Sequence, residues 1–181
     1  MKKMMVVVFL LCVSSLYAQE KNAIYAAFGS AKKVGGDGDQ YIWGRSFELG
    51  IRFGSTPTTS FSMIIHHSSL LFDEDKLPSL LKEATHNVTT ATGNLHVRFL
   101  ERGVTPFLNL GAGLSIENIS GANWIGNSAN ESKISPSITV GIGFNVPIST
   151  DIDLSIMGAL THSRAYESTF IPITIGFSFN Y

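Results

Sequence analysis

The feature that most constrains this chain is a strict alternation of apolar and polar residues. Between residues 138 and 146 every second residue is large and apolar, and the residues between them are Thr, Gly or Asn. The same alternation runs from Ile171 to Tyr181. A period of two residues places alternate side chains on opposite faces of a strand, whereas a helix would spread them around its circumference. Both segments are therefore predicted to be β-strands.

Six further segments alternate in the same way, so eight strands are predicted. They cover residues 22–30, 46–53, 59–67, 94–99, 104–116, 134–146, 151–156 and 171–181. The alternation is less regular in 22–30 and 59–67 than in the others. In the first strand we assign Ile24, Ala26 and Phe28 to the apolar face.

The predicted connections alternate between long and tight. The long connections cover residues 31–42, 68–87 and 117–132, the tight ones cover 54–58, 100–103 and 147–150, and the last, 162–168, is intermediate. Leu77, Leu80 and Leu81 have helical spacing, which predicts a short helix within residues 73–84. Long connections at one rim and tight turns at the other are typical of an up-and-down antiparallel barrel.

Charge and volume indicate which face of this barrel looks outward. Only 15% of the residues are charged, and 13 Lys and Arg against 14 Asp and Glu leave no basic surface for nucleic acid. The polar face carries mostly small residues, whereas a surface in water needs more charge. The interior of eight strands is already filled by ordinary side chains and has no room for the apolar set. The sequence therefore predicts an all-β, eight-stranded antiparallel transmembrane β-barrel rather than a soluble barrel around an apolar ligand.

The first eighteen residues have the pattern of a cleaved signal peptide. Lys2 and Lys3 precede an apolar run over residues 4–13, and the small residue Ala18 marks the cleavage point. Ten apolar residues are too few to cross a bilayer as a helix. Residues 19–181 then form one barrel domain that lacks cysteine, because Cys12 lies in the removed segment.

The run from Thr105 to Gly113 resembles the glycine-alternating strand of small outer-membrane β-barrels of the outer membrane protein A, X and W type, in the porin family. The C-terminal residues Phe177, Phe179 and Tyr181 resemble the signal that the barrel-insertion machinery recognises. The resemblance implies location in the outer membrane of a Gram-negative cell, with outer-membrane lipids, lipopolysaccharide and the insertion machinery as partners. It implies no cofactor, and it leaves the outer loops free to bind extracellular ligands.

The polar face carries charges of both signs that are predicted to point into the lumen. These residues are Glu48, Arg52, His96, Arg98, Asp151 and Asp153. Charges in a low-dielectric interior persist only when they are paired and hydrogen-bonded. We expect a structural ionic network that closes the lumen to solutes. The alternative is a narrow channel or a carrier of a small ligand.

One segment suggests catalysis. His66 and Ser68 form a His-x-Ser pattern that resembles the pattern of outer-membrane barrels that deacylate lipid A. No carboxylate is evidently placed to orient the histidine, so a lipid A-modifying esterase is the alternative and not the preferred function. The histidines with Asp73, Glu74 and Asp75 have the side chains of metal ligands but no fixed spacing.

Four further residues near the predicted rims are suited to contact the membrane interface. Trp43, Tyr41 and Phe53 are suited to an interfacial aromatic girdle, and Arg45 is placed to meet lipid phosphates at the outer rim. The preferred function is a non-enzymatic integral outer-membrane protein with a structural or surface-interaction role, long outer loops and a plugged polar lumen.

Overall fold

The fold is described from a computed structural model of the chain. It describes residues 20–54, 56–73, 75–76, 84–122 and 128–181. The predicted signal peptide and most of the predicted helix within residues 73–84 lie outside the described residues. These two expectations therefore remain predictions.

Eight antiparallel strands close into one barrel in which each strand pairs with its neighbours in sequence and β1 pairs with β8. The strands are β1 (Glu20–Val34), β2 (Tyr41–Gly54), β3 (Thr59–Phe72), β4 (Thr85–Arg98), β5 (Thr105–Ala122), β6 (Ser128–Pro147), β7 (Ile152–Ser163) and β8 (Ser168–Asn180). A short 3-10 helix covers Gly38–Gln40 before β2. The predicted fold class is confirmed.

The alternation in the sequence becomes the two faces of the barrel wall. Large apolar side chains point outward, as at Phe28 and Ile138, which are 63% and 57% exposed. The residues between them point inward and are mostly buried Ser, Thr and Asn. The register predicted for the first strand is confirmed, because Ile24 is on the outward face with Phe28.

The tight connections lie at one end of the barrel, in residues 56–58, 99–104 and 148–151. Gly103 has φ +77°, a left-handed conformation that favours glycine, in the second of these turns. The C-terminus lies at the same end, where the Tyr181 amide donates to the Asn22 carbonyl at 2.8 Å. We call this the turn end, and the opposite end the loop end.

At the loop end the strands run further than predicted, and this corrects the predicted long connections. Most of residues 117–132 belong to β5 and β6, which pair from Thr105 as far as Ala122. β6 pairs with β7 only from Ser137 onward, so the β5–β6 hairpin extends beyond its neighbour. Beyond the part of the wall that carries outward apolar side chains, neither face of a strand needs apolar residues. The alternation therefore stops there although the strand pairing continues.

The lumen also contains two small apolar clusters. Leu70, Val88 and Phe170 pack together near the loop end, and Phe107 packs with Met157 toward the turn end. Phe107 fits because a Cβ at Gly143 would lie only 2.5 Å from its ring. No helix among the described residues is long and apolar enough to cross a membrane.

Candidate functional site in the barrel lumen

Two hydrogen-bonded clusters of polar side chains lie in the lumen, each around one glutamate and one histidine. We call Tyr25, Glu48, His66 and Ser68 the central cluster. We call Tyr41, His86, Glu117 and Ser163 the outer cluster, since these residues lie near the loop end. Each of these eight residues is buried.

The central cluster forms because Glu48 and His66 are directly paired across β2 and β3. His66 Nδ1 lies 2.9 Å from Glu48 Oε1, and His66 Nε2 lies 2.6 Å from Ser68 Oγ. The Tyr25 hydroxyl donates to Glu48 Oε2 at 3.0 Å. Because a carboxylate only accepts, Nδ1 carries a proton, and in the neutral ring Nε2 is then the acceptor for the serine hydroxyl.

This geometry corrects one expectation from the sequence. Glu48 orients His66, so a carboxylate is present where none was evident. Serine, histidine and glutamate are connected in the order that activates a serine nucleophile. The three side chains point into the lumen, however, and Ser68 is fully buried. A lipid outside the barrel therefore has no contact with the serine.

The outer cluster spans the lumen from β2 to β7. His86 Nε2 lies 2.9 Å from Glu117 Oε2, and the Tyr41 hydroxyl lies 3.1 Å from His86 Nδ1. Ser163 donates to the other oxygen of Glu117. Both members of the Glu117–His86 pair are 0% exposed. This pair therefore meets the requirement that buried charges be paired and hydrogen-bonded.

Two further serines, Ser115 and Ser135, lie against Ser163 of this cluster. The hydroxyl of Ser115 lies 2.6 Å from Ser163 Oγ and 3.0 Å from Ser135 Oγ. Ser135 and Ser163 are also 3.0 Å apart. These hydroxyls join β5, β6 and β7 through small side chains, which is how a narrow barrel satisfies its polar groups without open space.

The predicted network of six residues is arranged differently. Glu48 and His96 do point inward, but Glu48 pairs with His66, and His96 contacts the Asn145 amide at 3.3 Å. Asp151 is exposed in the turn before β7, so its predicted inward position is wrong. The buried glutamates of the described lumen pair with histidines, and the buried Lys33 pairs with Asp37 at 2.6 Å near the loop end. No ion pair of the described residues joins any two of Glu48, Arg52, Arg98 and Asp153.

The arginines instead lie together near the turn end. Arg52 is within electrostatic range of both Arg98 and Asp153. The Nε atoms of Arg52 and Arg98 are buried without a hydrogen-bond partner. Asp153 accepts from the Asn180 side chain at 3.3 Å.

The lumen between these groups is filled. The cavity between Tyr25, Arg52, His96 and Phe107 has a volume of about 10 Å³. A space of this size holds about one water molecule. The part of the lumen that the structure describes therefore offers no open bore at this level.

The remaining predicted residues divide between the two faces. Tyr41 is buried inside, so its assignment to an aromatic girdle is wrong, whereas Trp43 is exposed on the outer surface. Arg45 is exposed at an outward position near the loop end. Phe177, Phe179 and Tyr181 are exposed, as an outward C-terminal motif requires.

The two histidines of the possible metal site point in opposite directions. His67 is on the outer face and contacts Thr89 Oγ1 at 2.9 Å, while His66 is in the lumen. Among the described residues no group of three His, Cys, Asp or Glu side chains is arranged to hold a metal ion.

The protruding part of β6 carries charged groups at the loop end. Glu131 and Lys133 form an ion pair at 2.9 Å, and the Lys133 ammonium lies 4.2 Å from the centre of the Tyr166 ring. Burial, and to a lesser degree the nearby Glu131 charge, raises the pKa of Tyr166 in the turn after β7. These contacts tie the β5–β6 extension to the last loop.

Comparison with known proteins places the fold among bacterial outer-membrane barrels. No protein-family model and no curated protein matches the chain. Among solved structures, Neisserial surface protein A (NspA) is 15% identical with a TM-score of 0.66, covering 90% of this chain and 100% of its own. Ail, the attachment invasion locus protein of Yersinia pestis, is 17% identical with a TM-score of 0.60, covering 90% and 99%.

A third similar structure is the outer membrane protease OmpT from Escherichia coli. It is 6% identical with a TM-score of 0.50, covering 90% of this chain and 97% of its own. The resemblance to small outer-membrane barrels is thus confirmed at the level of the fold. Because the similar structures include a protease, the fold alone does not exclude an enzyme.

Proposed function

We propose that this chain is a non-enzymatic integral protein of the outer membrane, with a structural role and a role in surface interactions. This proposal rests on one observation: the barrel is closed, its outer wall is apolar, and its lumen is filled and hydrogen-bonded. Such a wall is stable only in lipid, and such a lumen leaves no path for solutes. The similarity to known outer-membrane proteins supports the location.

The proposal includes the route to the membrane. Residues 1–18 serve as the cleaved signal peptide, and Phe177, Phe179 and Tyr181 serve as the signal for the insertion machinery. Outer-membrane lipids and lipopolysaccharide surround the barrel. The β5–β6 extension and the other loops are the surface available to extracellular ligands, and the name of the similar attachment protein Ail supports this assignment.

A gel with and without boiling tests the barrel in the membrane. The mature chain, refolded in detergent and loaded unheated, is expected to migrate differently from the boiled chain. Fractionation of cells that express the full chain should recover it in the outer membrane. Recovery of a folded monomer in buffer without detergent would contradict the proposal.

The central cluster supports a second candidate, a serine esterase acting on acylated lipid. The observation in its favour is the Ser68–His66–Glu48 connection. Its test is mass spectrometry of lipid A from cells that express the chain or Ser68→Ala. Loss of acyl chains that depends on Ser68 would favour the esterase, whereas unchanged lipid A favours the structural role of the cluster.

Single-channel recording tests the third possibility, a narrow channel. The filled lumen predicts no conductance in planar bilayers. Currents that change when Arg52 or His96 is substituted would show that the lumen opens.

A further inference from the structure

The outward surface of the barrel has a long depression across β1 to β6. Two adjoining apolar grooves of about 730 and 610 Å³ form it, and they share Met63 and Gly93. Ala91, Gly93 and Ala112 make the floor because their side chains are small. The exposed side chains of Met63 and Leu114 stand beside this floor.

This groove has room that the fold itself does not use. A Cβ added at Gly93 would have no heavy atom within 4 Å. In a bilayer, water does not fill such an apolar space, and a void would forfeit the dispersion contacts of its lining. An acyl chain is the group in that environment with the shape and chemistry to fill it.

A polar belt lies directly above this groove toward the loop end. The strand register places His67 and Thr89 one step above Ile65 and Ala91, and Arg45, Ser69 and Asn87 one step higher. These are outward positions on the same strands that form the groove. From Arg45 to the groove residue Leu49 the distance along β2 is about 13 Å.

The belt is positively charged. Arg45 is exposed, and Lys32 lies two residues beyond Ser30, the residue that pairs with Arg45. The polar outward positions of the belt on β1 to β4 are filled by Arg, Lys, His, Ser, Thr and Asn, and Phe28 and Phe47 occupy the outward positions beside His67. In the described part of this belt no outward residue is a carboxylate. A guanidinium and an ammonium without an acidic neighbour attract an anion at the membrane surface.

We propose that the groove and the belt together form a binding site for one membrane lipid with a phosphate-bearing headgroup. The phosphate lies against Arg45 and Lys32. When His67 Nδ1 accepts from Thr89, its Nε2–H donates to an ester oxygen of the lipid. An acyl chain lies in the groove over Gly93. The site rests on the proposed membrane orientation and adds to it a specific lipid class.

Trp43 provides the measurement, because it is exposed two residues from Arg45 on β2. With Trp124→Phe, Trp43 is the only tryptophan of the chain. The probe is phosphatidic acid with acyl chains brominated near the ester, mixed into phosphatidylcholine vesicles that hold the folded barrel. Bromine quenches tryptophan on contact. Quenching is expected to exceed, by several-fold, the value expected from the bulk fraction of phosphatidic acid.

Matched variants separate the parts of the site. Arg45→Gln with Lys32→Gln should reduce the quenching to that of bulk lipid. Gly93→Leu should reduce the enrichment by filling the groove. Gly158→Leu is the control, because Gly158 on β7 also has no heavy atom within 4 Å of an added Cβ but lies outside the groove. Equal effects of both leucine variants would overturn the assignment of the groove.

The other outcomes distinguish the sources of the signal. Millimolar inorganic phosphate should leave the enrichment unchanged, and displacement by it would replace the lipid site with a site for free phosphate. Quenching of Trp43 by brominated phosphatidylcholine and phosphatidic acid in proportion to their amounts would overturn the lipid site while leaving the barrel in the bilayer. Absence of quenching by any brominated lipid would instead contradict the proposed function.

Discussion

The two ends of the lumen differ in how completely their charged side chains are hydrogen-bonded. In the outer cluster, Glu117 is enclosed with His86 and Ser163, and each of its oxygens accepts a hydrogen bond. Near the turn end, Arg52 and Arg98 lie in range of each other, and their Nε atoms have no partner. The difference indicates that the enclosed clusters, and not the arginines, hold the inner wall together.

The largest expected effect is the loss of Glu117. Replacing it with Leu leaves His86 and Ser163 buried without their acceptor. Breaking a buried pair in this way costs about 3–5 kcal/mol. Urea unfolding of the barrel in lipid vesicles measures this loss, and Glu117→Gln, which keeps an acceptor and the volume, should lose less. If Glu117→Leu lowered the free energy of unfolding by less than about 1 kcal/mol, the outer cluster would not stabilise the inner wall as inferred.

A double-mutant cycle sharpens the comparison at Glu48. The coupling energy between Glu48→Gln and His66→Phe is expected to be about 1.5–3 kcal/mol, the value of a hydrogen bond to a charged group. The cycle of Glu48→Gln with Arg52→Met should give a coupling near zero. A larger coupling to Arg52 would restore the ionic network predicted from the sequence.

Tyr41→Phe is expected to have a moderate effect. It removes the hydroxyl that lies against His86 Nδ1 and keeps the packing of the ring on Phe72. The expected cost is about 1 kcal/mol in the same urea experiment. Trp43→Phe, on the outer surface of the same strand, serves as the control and should have little effect. Equal costs for both variants would argue that the Tyr41 hydroxyl does not contribute.

Arg98→Met is expected to have the smallest effect. It removes a positive charge close to Arg52 and breaks no glutamate–histidine pair. The free energy of unfolding should change by less than about 1 kcal/mol. A loss as large as that of Glu117→Leu would show that the turn end contributes as much as the outer cluster.

Much of the fold could be predicted from the sequence because a barrel wall with an apolar outer face requires alternation. In residues 138–146 and 171–181 every second residue is apolar, which identifies the outward face. The same alternation elsewhere predicts the eight strands, their order and the outward face of Phe28. The strand ends were not, because the polar extension of β5 and β6 carries no apolar residue at every second position. The predicted faces of Asp151 and Tyr41 are wrong for a related reason, since both residues lie at the end of an apolar run.

The site was harder to predict than the wall. Glu117 and His86 lie in segments that the sequence pattern predicts as loops, so the pattern does not identify either of them as a lumen residue. The pattern correctly places Glu48 inside, but its partner depends on the register between β2 and β3, which the sequence pattern of either strand alone does not give. One signal for the lumen position of His66 and Ser68 was available in the sequence. Alternation along β3 puts both residues on the face opposite to Met63 and Ile65.

The direct test of the outward apolar face is the collision rate of nitroxide labels with oxygen, which concentrates in lipid, and with a water-soluble nickel chelate. The mature chain lacks the single cysteine if residues 1–18 are removed, so a cysteine can be introduced at Ile138, Thr139 or Val140 in turn. Labels at Ile138 and Val140 are expected to collide with oxygen and not with nickel, whereas the label at Thr139 should collide little with either. Labels at Ile138 and Val140 that collide freely with the nickel chelate would contradict the account.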